Sequence, residues 1–151
     1  MESPSLVWLP AYYATSKIPF VLSHEIAHQW FYGVVGNDQT TNPFLDEAMS
    51  EFLARSMFGF RASGCESRRL DLSMYAYTPS CYYEQVYVQG SSFLNNLRQD
   101  MGSSKFWGVV WDFWHAKKYK IVTTKQLLEA FRAKAGNWVL PRYRARFPGL
   151  Y

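Results

Sequence analysis

The chain of 151 residues is 48% hydrophobic, 19% aromatic and 19% charged, which excludes intrinsic disorder as its main state and suffices for one domain with a sizeable core. Its net charge of +4 is uneven, with 5 basic and 9 acidic residues up to Leu97 and 11 basic and 3 acidic from Arg98 onward. The second-half cations are dispersed along helical stretches and read as a solvated face, so no nucleic-acid partner is expected; no apolar run reaches the ~18 residues of a membrane span either.

The start, Met1-Glu2-Ser3-Pro4, lacks the basic and apolar regions of a signal peptide, and localisation is left open. Without repeat or linker, residues 1–151 read as a single, mainly α domain with at most a short N-terminal strand. Leu6 to Leu9, ended by Pro10, is that strand. Phe20, Ile26, Ala27, Trp30, Phe31 and Val34 recur at three- and four-residue steps, which predicts a helix from about Pro19 to Val35, ended by Gly36-Asn37-Asp38. Asn42-Pro43 then supplies an N-cap and a proline at the first helical position, for a helix running to about Phe58 before Gly59.

Residues 61–81, rich in Ser, Gly and Pro, read as a loop with one short helix near 67–75. Further helices are predicted over Tyr83–Met101, Ser104–Lys118 and Thr124–Ala135. The last opens with Thr123-Thr124-Lys125-Gln126, which fits a capping box, and Gly136 follows it. The tail from Asn137 has no firm period. Cys65 and Cys81 have no CxxC spacing and no histidine beside them, so a disulfide and two free thiols are both open.

His24-Glu25-Ile26-Ala27-His28 is an HExxH pentapeptide inside the first long helix. Four residues are about one helical turn, so both imidazoles project from one face and can share an ion. Glu25 sits about 100° further round, beside the ion rather than on it, where a carboxylate can deprotonate a water molecule. Zinc takes three protein ligands and a water. Glu47, in Leu45-Asp46-Glu47-Ala48 on the next helix, is the candidate third ligand. Glu51, one turn later on the same face, is placed to accept the second ring N–H of His24 and fix its tautomer. His115, within Trp111-Asp112-Phe113-Trp114-His115, reads as a packed or surface histidine. The rings of Phe106, Trp107, Trp111, Phe113 and Trp114 cover too much of their helix for one stripe, and read as core together with a surface for partner contacts.

The spacing His24-Glu25-x-x-His28, 18 residues, then Glu47 resembles that of the gluzincin zinc metallopeptidases, and more narrowly of the aminopeptidase N (membrane alanyl aminopeptidase) family. Ser23-HEIAHQWFYGVVGNDQ and Asn42-PFLDEAMSEF resemble that family's HELAHQWFG and WLDEGFAEY segments. Val86-Tyr87-Val88-Gln89-Gly90 resembles its YxKG element, and Met1 to Val7 a bacterial variant, MEYPGLV, of its GxMEN motif.

The resemblance implies the helical half of a thermolysin-like zincin catalytic domain, with one zinc ion on His24, His28 and Glu47. Glu25 would be the general base, Tyr87 the hydroxyl donor to the oxyanion, and Glu2 the anchor for the amino group of a peptide substrate. Tyr82 is a candidate second phenol. Ser3 stands where the family has Asn or Tyr, and Gln89 where it has Lys. Relatives of this kind carry further domains, so the chain is expected to be part of a longer protein whose other domains are its partners. Two rivals remain: a zinc endopeptidase without an amine anchor, and a zinc-binding portion without turnover.

Overall fold

Helix α1 (Ile18–Ala27) opens with Pro19 in its first turn, where a missing N–H leaves no helical bond unmade. The computed structural model describes residues 2–151, and of Glu2 the backbone alone. Helix α1 ends at His28, well short of the Val35 expected from apolar spacing. Tyr32 has a φ of 125°, outside any right-handed helix, and the N–H groups of Gly33 and Val35 close turns onto the carbonyls of His28 and Trp30.

The chain then runs into strand β3 (Val35–Asn37), which pairs in parallel with β4 (Lys120–Val122), Val35 opposite Lys120. Backbone groups that a longer α1 would have bonded internally are satisfied by a segment far along the chain. Strands β1 (Glu2–Ser3) and β2 (Leu6–Val7) form an antiparallel hairpin. Among the described residues two small sheets therefore replace the lone N-terminal strand. The hairpin is fastened to the end of the HExxH segment by Gln29, whose Nε2 donates to Ser3 O and whose Oε1 accepts from Ser5 N.

Helix α2 (Met49–Phe58) continues without a break from a wider, π-helical turn, Phe44–Ala48. Asn42 does not cap it: its Nδ2 donates to Thr41 Oγ1, and its Oδ1 accepts from Thr124 N across the fold. Gly59, at a φ of 96°, ends α2. The 61–81 region holds no α-helix at 67–75; before Pro79 it has only a 3-10 turn, Met74–Ala76. It is pinned instead by a Cys65–Cys81 disulfide, by Gln89 Nε2 donating to the carbonyls of Cys65 and Ser67, and by Leu70 N donating to Arg146 O.

The third long helix starts earlier than expected and changes character along its length. It comprises α3 (Pro79–Tyr82), a π-helical stretch Tyr83–Gln89, and α4 (Gly90–Met101). Helix α5 (Ser103–Lys117) and helix α6 (Thr124–Ala135) follow, the latter opened by the reciprocal Thr123–Gln126 capping box. The tail, without legible period, coils into α7 (Leu140–Arg146).

The fold is mainly α. Its core gathers Phe44, Phe52, Phe93, Phe106, Phe131 and Phe147, all buried, and burial of each such ring is worth about 2–3 kcal/mol. Helix α5 turns Phe106 and Phe113 into this core and leaves Trp107 and Trp111 outward. No helix among the described residues is long and apolar enough to cross a membrane.

Candidate metal centre

His24 and His28, one turn apart on α1, are both buried, and their Nε2 atoms lie 3.0 Å apart. Glu47 Oε2, brought in by the π-helical turn before α2, lies 3.2 Å from the first and 3.3 Å from the second. A tetrahedral zinc site with bonds of roughly 2.0–2.1 Å has ligand atoms about 3.3 Å apart. The three atoms therefore already stand at the spacing that one ion imposes.

The outer partners decide which ring nitrogen is free. His28 Nδ1 lies 3.3 Å from Phe31 O and 3.1 Å from Ser50 Oγ. A carbonyl only accepts, so Nδ1 carries the proton and Nε2 presents its lone pair. His24 Nδ1 lies 3.1 Å from Glu51 Oε2, close enough for charge pairing but not aligned for a straight hydrogen bond. That carboxylate likewise favours the proton on Nδ1. Two nitrogen lone pairs and a carboxylate oxygen then face one point. Three such acceptors repel one another unless a cation sits among them, and a His–His–carboxylate set suits zinc better than calcium or magnesium.

The electrostatics favour positive charge at the same point. Burial pulls His24 down, but the hydrogen bond to Glu47 and the charges of Glu47 and Glu51 outweigh it and raise the imidazole to about 9. Burial pushes Glu47 up, and the two imidazoles overcome it, holding the carboxyl at about 2. His28 is raised, its burial outweighed by Glu47. Asp46 is pushed up to about 7 by burial and then by Glu47, although Asn37 Nδ2 donates to its Oδ1 at 3.0 Å and Gln39 Nε2 to its Oδ2 at 2.7 Å.

These groups open onto a cleft of about 810 Å³ that Glu25, Tyr87, Phe20, Phe58 and Lys17 also line. Glu25 is half-buried on the cleft side of α1. The Tyr87 ring stacks on His24 with centroids 5.5 Å apart and planes 18° from parallel. Burial, and next the charge of the Glu47 carboxylate, drive this phenol far above its usual range, so it remains a protonated donor.

Gly90 has a plain structural task. A Cβ there would lie 2.7 Å from Ala48 Cβ, so glycine lets the Tyr87-bearing stretch approach the turn that carries Glu47. Tyr82 packs edge-on against Tyr87 at 5.8 Å and is not among the side chains lining the cleft. His115 is exposed, leaning on Trp111 with ring centroids 4.1 Å apart. The carboxylate of Glu2 lies outside the described residues.

Three residues that sequence reasoning passed over complete the surroundings. Tyr83 donates its hydroxyl to Glu51 Oε1 at 3.1 Å, Arg55 pairs with the same oxygen at 2.7 Å, and Ser50 meets His28. Arg55 stands one turn after Glu51, a spacing that signals such a pair. Tyr83 and Ser50 carry no signal, because their partners are set by how separate helices cross. The chain matches no known protein-family model and no curated protein.

Proposed function

We propose that the chain is a zinc-dependent metallopeptidase, more specifically an aminopeptidase that releases N-terminal residues from peptides, built as the helical half of a thermolysin-like catalytic domain. The observation that carries this reading is the convergence of His24 Nε2, His28 Nε2 and Glu47 Oε2 within 3.3 Å of one another, at the edge of an open cleft shared with Glu25 and Tyr87. The resemblance of the 22–53 segment and of Val86 to Gly90 to aminopeptidase N sequences supports it further.

His24, His28 and Glu47 would hold one zinc ion, which supplies Lewis-acid polarisation of the scissile carbonyl and makes water acidic near neutral pH. Glu25 takes the proton of the attacking water and delivers it to the departing amine. The Tyr87 hydroxyl, kept protonated, donates to the carbonyl oxygen as negative charge develops on it. Glu51, held by Arg55 and Tyr83, keeps the His24 ring in the tautomer whose Nε2 faces the cleft.

The test is twofold. Purified protein should carry about one zinc per chain, released by a chelator, and should cleave an aminoacyl chromogenic amide with a free amine. Hydrolysis of an N-blocked peptide alone would favour the endopeptidase; stoichiometric zinc with no turnover on either would leave only the binding role.

A further inference from the structure

On the face of α4 away from the metal cleft, a polar pocket of about 330 Å³ is lined by Arg61, Ser63, Arg68, Ser92, Asn96 and Arg146. It shares no residue with the cleft. Arg61 is neutralised by Glu84, to which its guanidinium donates at both carboxylate oxygens. The other two arginines have no such partner. Arg146 spends its donors on neutral groups, Nε on Arg68 O at 2.6 Å and one terminal nitrogen on Gln89 Oε1 at 2.8 Å. No carboxylate of the described residues pairs with Arg68, and the nearby Asp71 is taken by Arg69 at 2.9 Å.

Burial and then the charge of Arg68 bring Arg146 down to about 10, which still leaves its guanidinium charged at neutral pH. Two like charges thus face one polar recess without a counter-ion, an arrangement that an anion relieves. Ser92 and Asn96, one turn apart on α4, add a hydroxyl and an amide to the same wall.

The geometry points to this pocket as a binding site for a phosphate-type oxyanion. Arg68, whose guanidinium makes no hydrogen bond among the described residues, offers a fork that matches the paired oxygens of phosphate, and Arg146 adds its remaining terminal nitrogen. Donors arriving from the loop, from α4 and from α7 surround a tetrahedral anion better than they surround a planar carboxylate. The recess, at about 330 Å³, has room for an ion several times the size of a water molecule, whose share of liquid is about 30 Å³.

The test is calorimetric titration of the full chain with inorganic phosphate, at ionic strength held constant with sodium chloride. Saturable one-to-one binding is expected. Arg68→Ala removes a side chain that makes no hydrogen bond among the described residues, the backbone carbonyl alone accepting from Arg146, and should weaken binding about tenfold or more, the loss of one charge-assisted contact. Arg144→Ala removes the same charge from the exposed side of α7 and should leave affinity within about twofold. Asn96→Leu gives a second, uncharged lesion, with a loss of several-fold expected. Heat no greater than chloride produces, or equal losses in Arg68→Ala and Arg144→Ala, would overturn the site. O-phosphoserine binding more tightly than phosphate assigns it to a phosphoryl group on a larger molecule; equal affinity assigns it to the free ion.

Discussion

The wall of the cleft formed by α1 and the start of α2 takes His24 and His28 from one helical turn and Glu47 from the next helical segment, whereas the wall formed by 83–89 places Tyr87 and Tyr83 through contacts made across the chain. The first wall is nearly sealed: His24, His28, Glu47 and Glu51 are all buried and partnered. The second is half-open, its rings stacked on the first. Both carry their key group on a π-helical stretch, a local widening common at functional sites. On the proposed reading one wall would hold the metal and the other would meet the substrate, so lesions in each should separate binding of the ion from turnover.

The largest separation is expected within the first wall itself. Glu25→Gln keeps the side chain's size and leaves the three ligands untouched, so zinc content should stay near one per chain while turnover falls by about 10³-fold. Metal analysis beside a peptidase assay measures both. Survival of activity would remove Glu25 from the mechanism. Tyr87→Phe tests the second wall and should lower kcat by about 10²-fold with KM little changed, because a donor to developing charge acts chiefly in the transition state.

The pH dependence of the metal-free protein probes the same sealed wall. His24 sits at about 9 in the fold against an ordinary 6.5, so its contribution is fully present below about pH 6.5 and is lost as pH rises through 9. Glu47 sits at about 2 against an ordinary 4.5, so its contribution is present above pH 4.5 and is lost as pH falls through 2. Asp46, raised to about 7 in the fold against an ordinary 3.8, costs stability progressively as pH rises between those values, so in chelator Tm should peak near pH 4.5 and decline towards pH 9. Zinc must displace the proton shared with His24, so its stabilising effect should grow over that same upper range. A metal-free Tm that rose between pH 6.5 and 9 would contradict the His24–Glu47–Glu51 arrangement.

Glu51→Gln should weaken zinc binding by about 10- to 100-fold, the usual cost of losing an outer partner of a ligand histidine. It also measures how far the site was legible. The pairs His24/His28 and Glu47/Glu51 are visible in the sequence because each stands one turn apart, and the short connection between their helices lets the second pair fold back on the first. Ser50 against His28 and Tyr83 on Glu51 are invisible there, since helix crossing alone brings them together. The helical content was legible for the same local reason, as was the Thr123–Gln126 cap. The early end of α1 was not: β3 takes its hydrogen bonds from β4, and no local spacing announces a partner so distant. Cys65 and Cys81 left their state open, because only the return of the loop onto α3 brings the sulfurs together.

The smallest expected effect, from Gly90→Ala, separates the walls most directly. The added methyl would meet Ala48 Cβ at 2.7 Å, and neither partner is a flexible side-chain end that could swing away. Overpacking of this kind costs about 1–3 kcal/mol and is relieved by moving one segment against the other. Phe44 and Leu45 anchor the Glu47 turn in the core, and Asp46 ties it to Asn37, whereas the Tyr83–Gln89 stretch keeps a half-exposed face. The stretch carrying Tyr87 is therefore the side that yields. Tm should fall by several degrees, turnover several-fold, and zinc affinity hardly at all. A parallel loss of zinc would mean that the displacement had passed into the Glu47 turn, and that the two walls move as one.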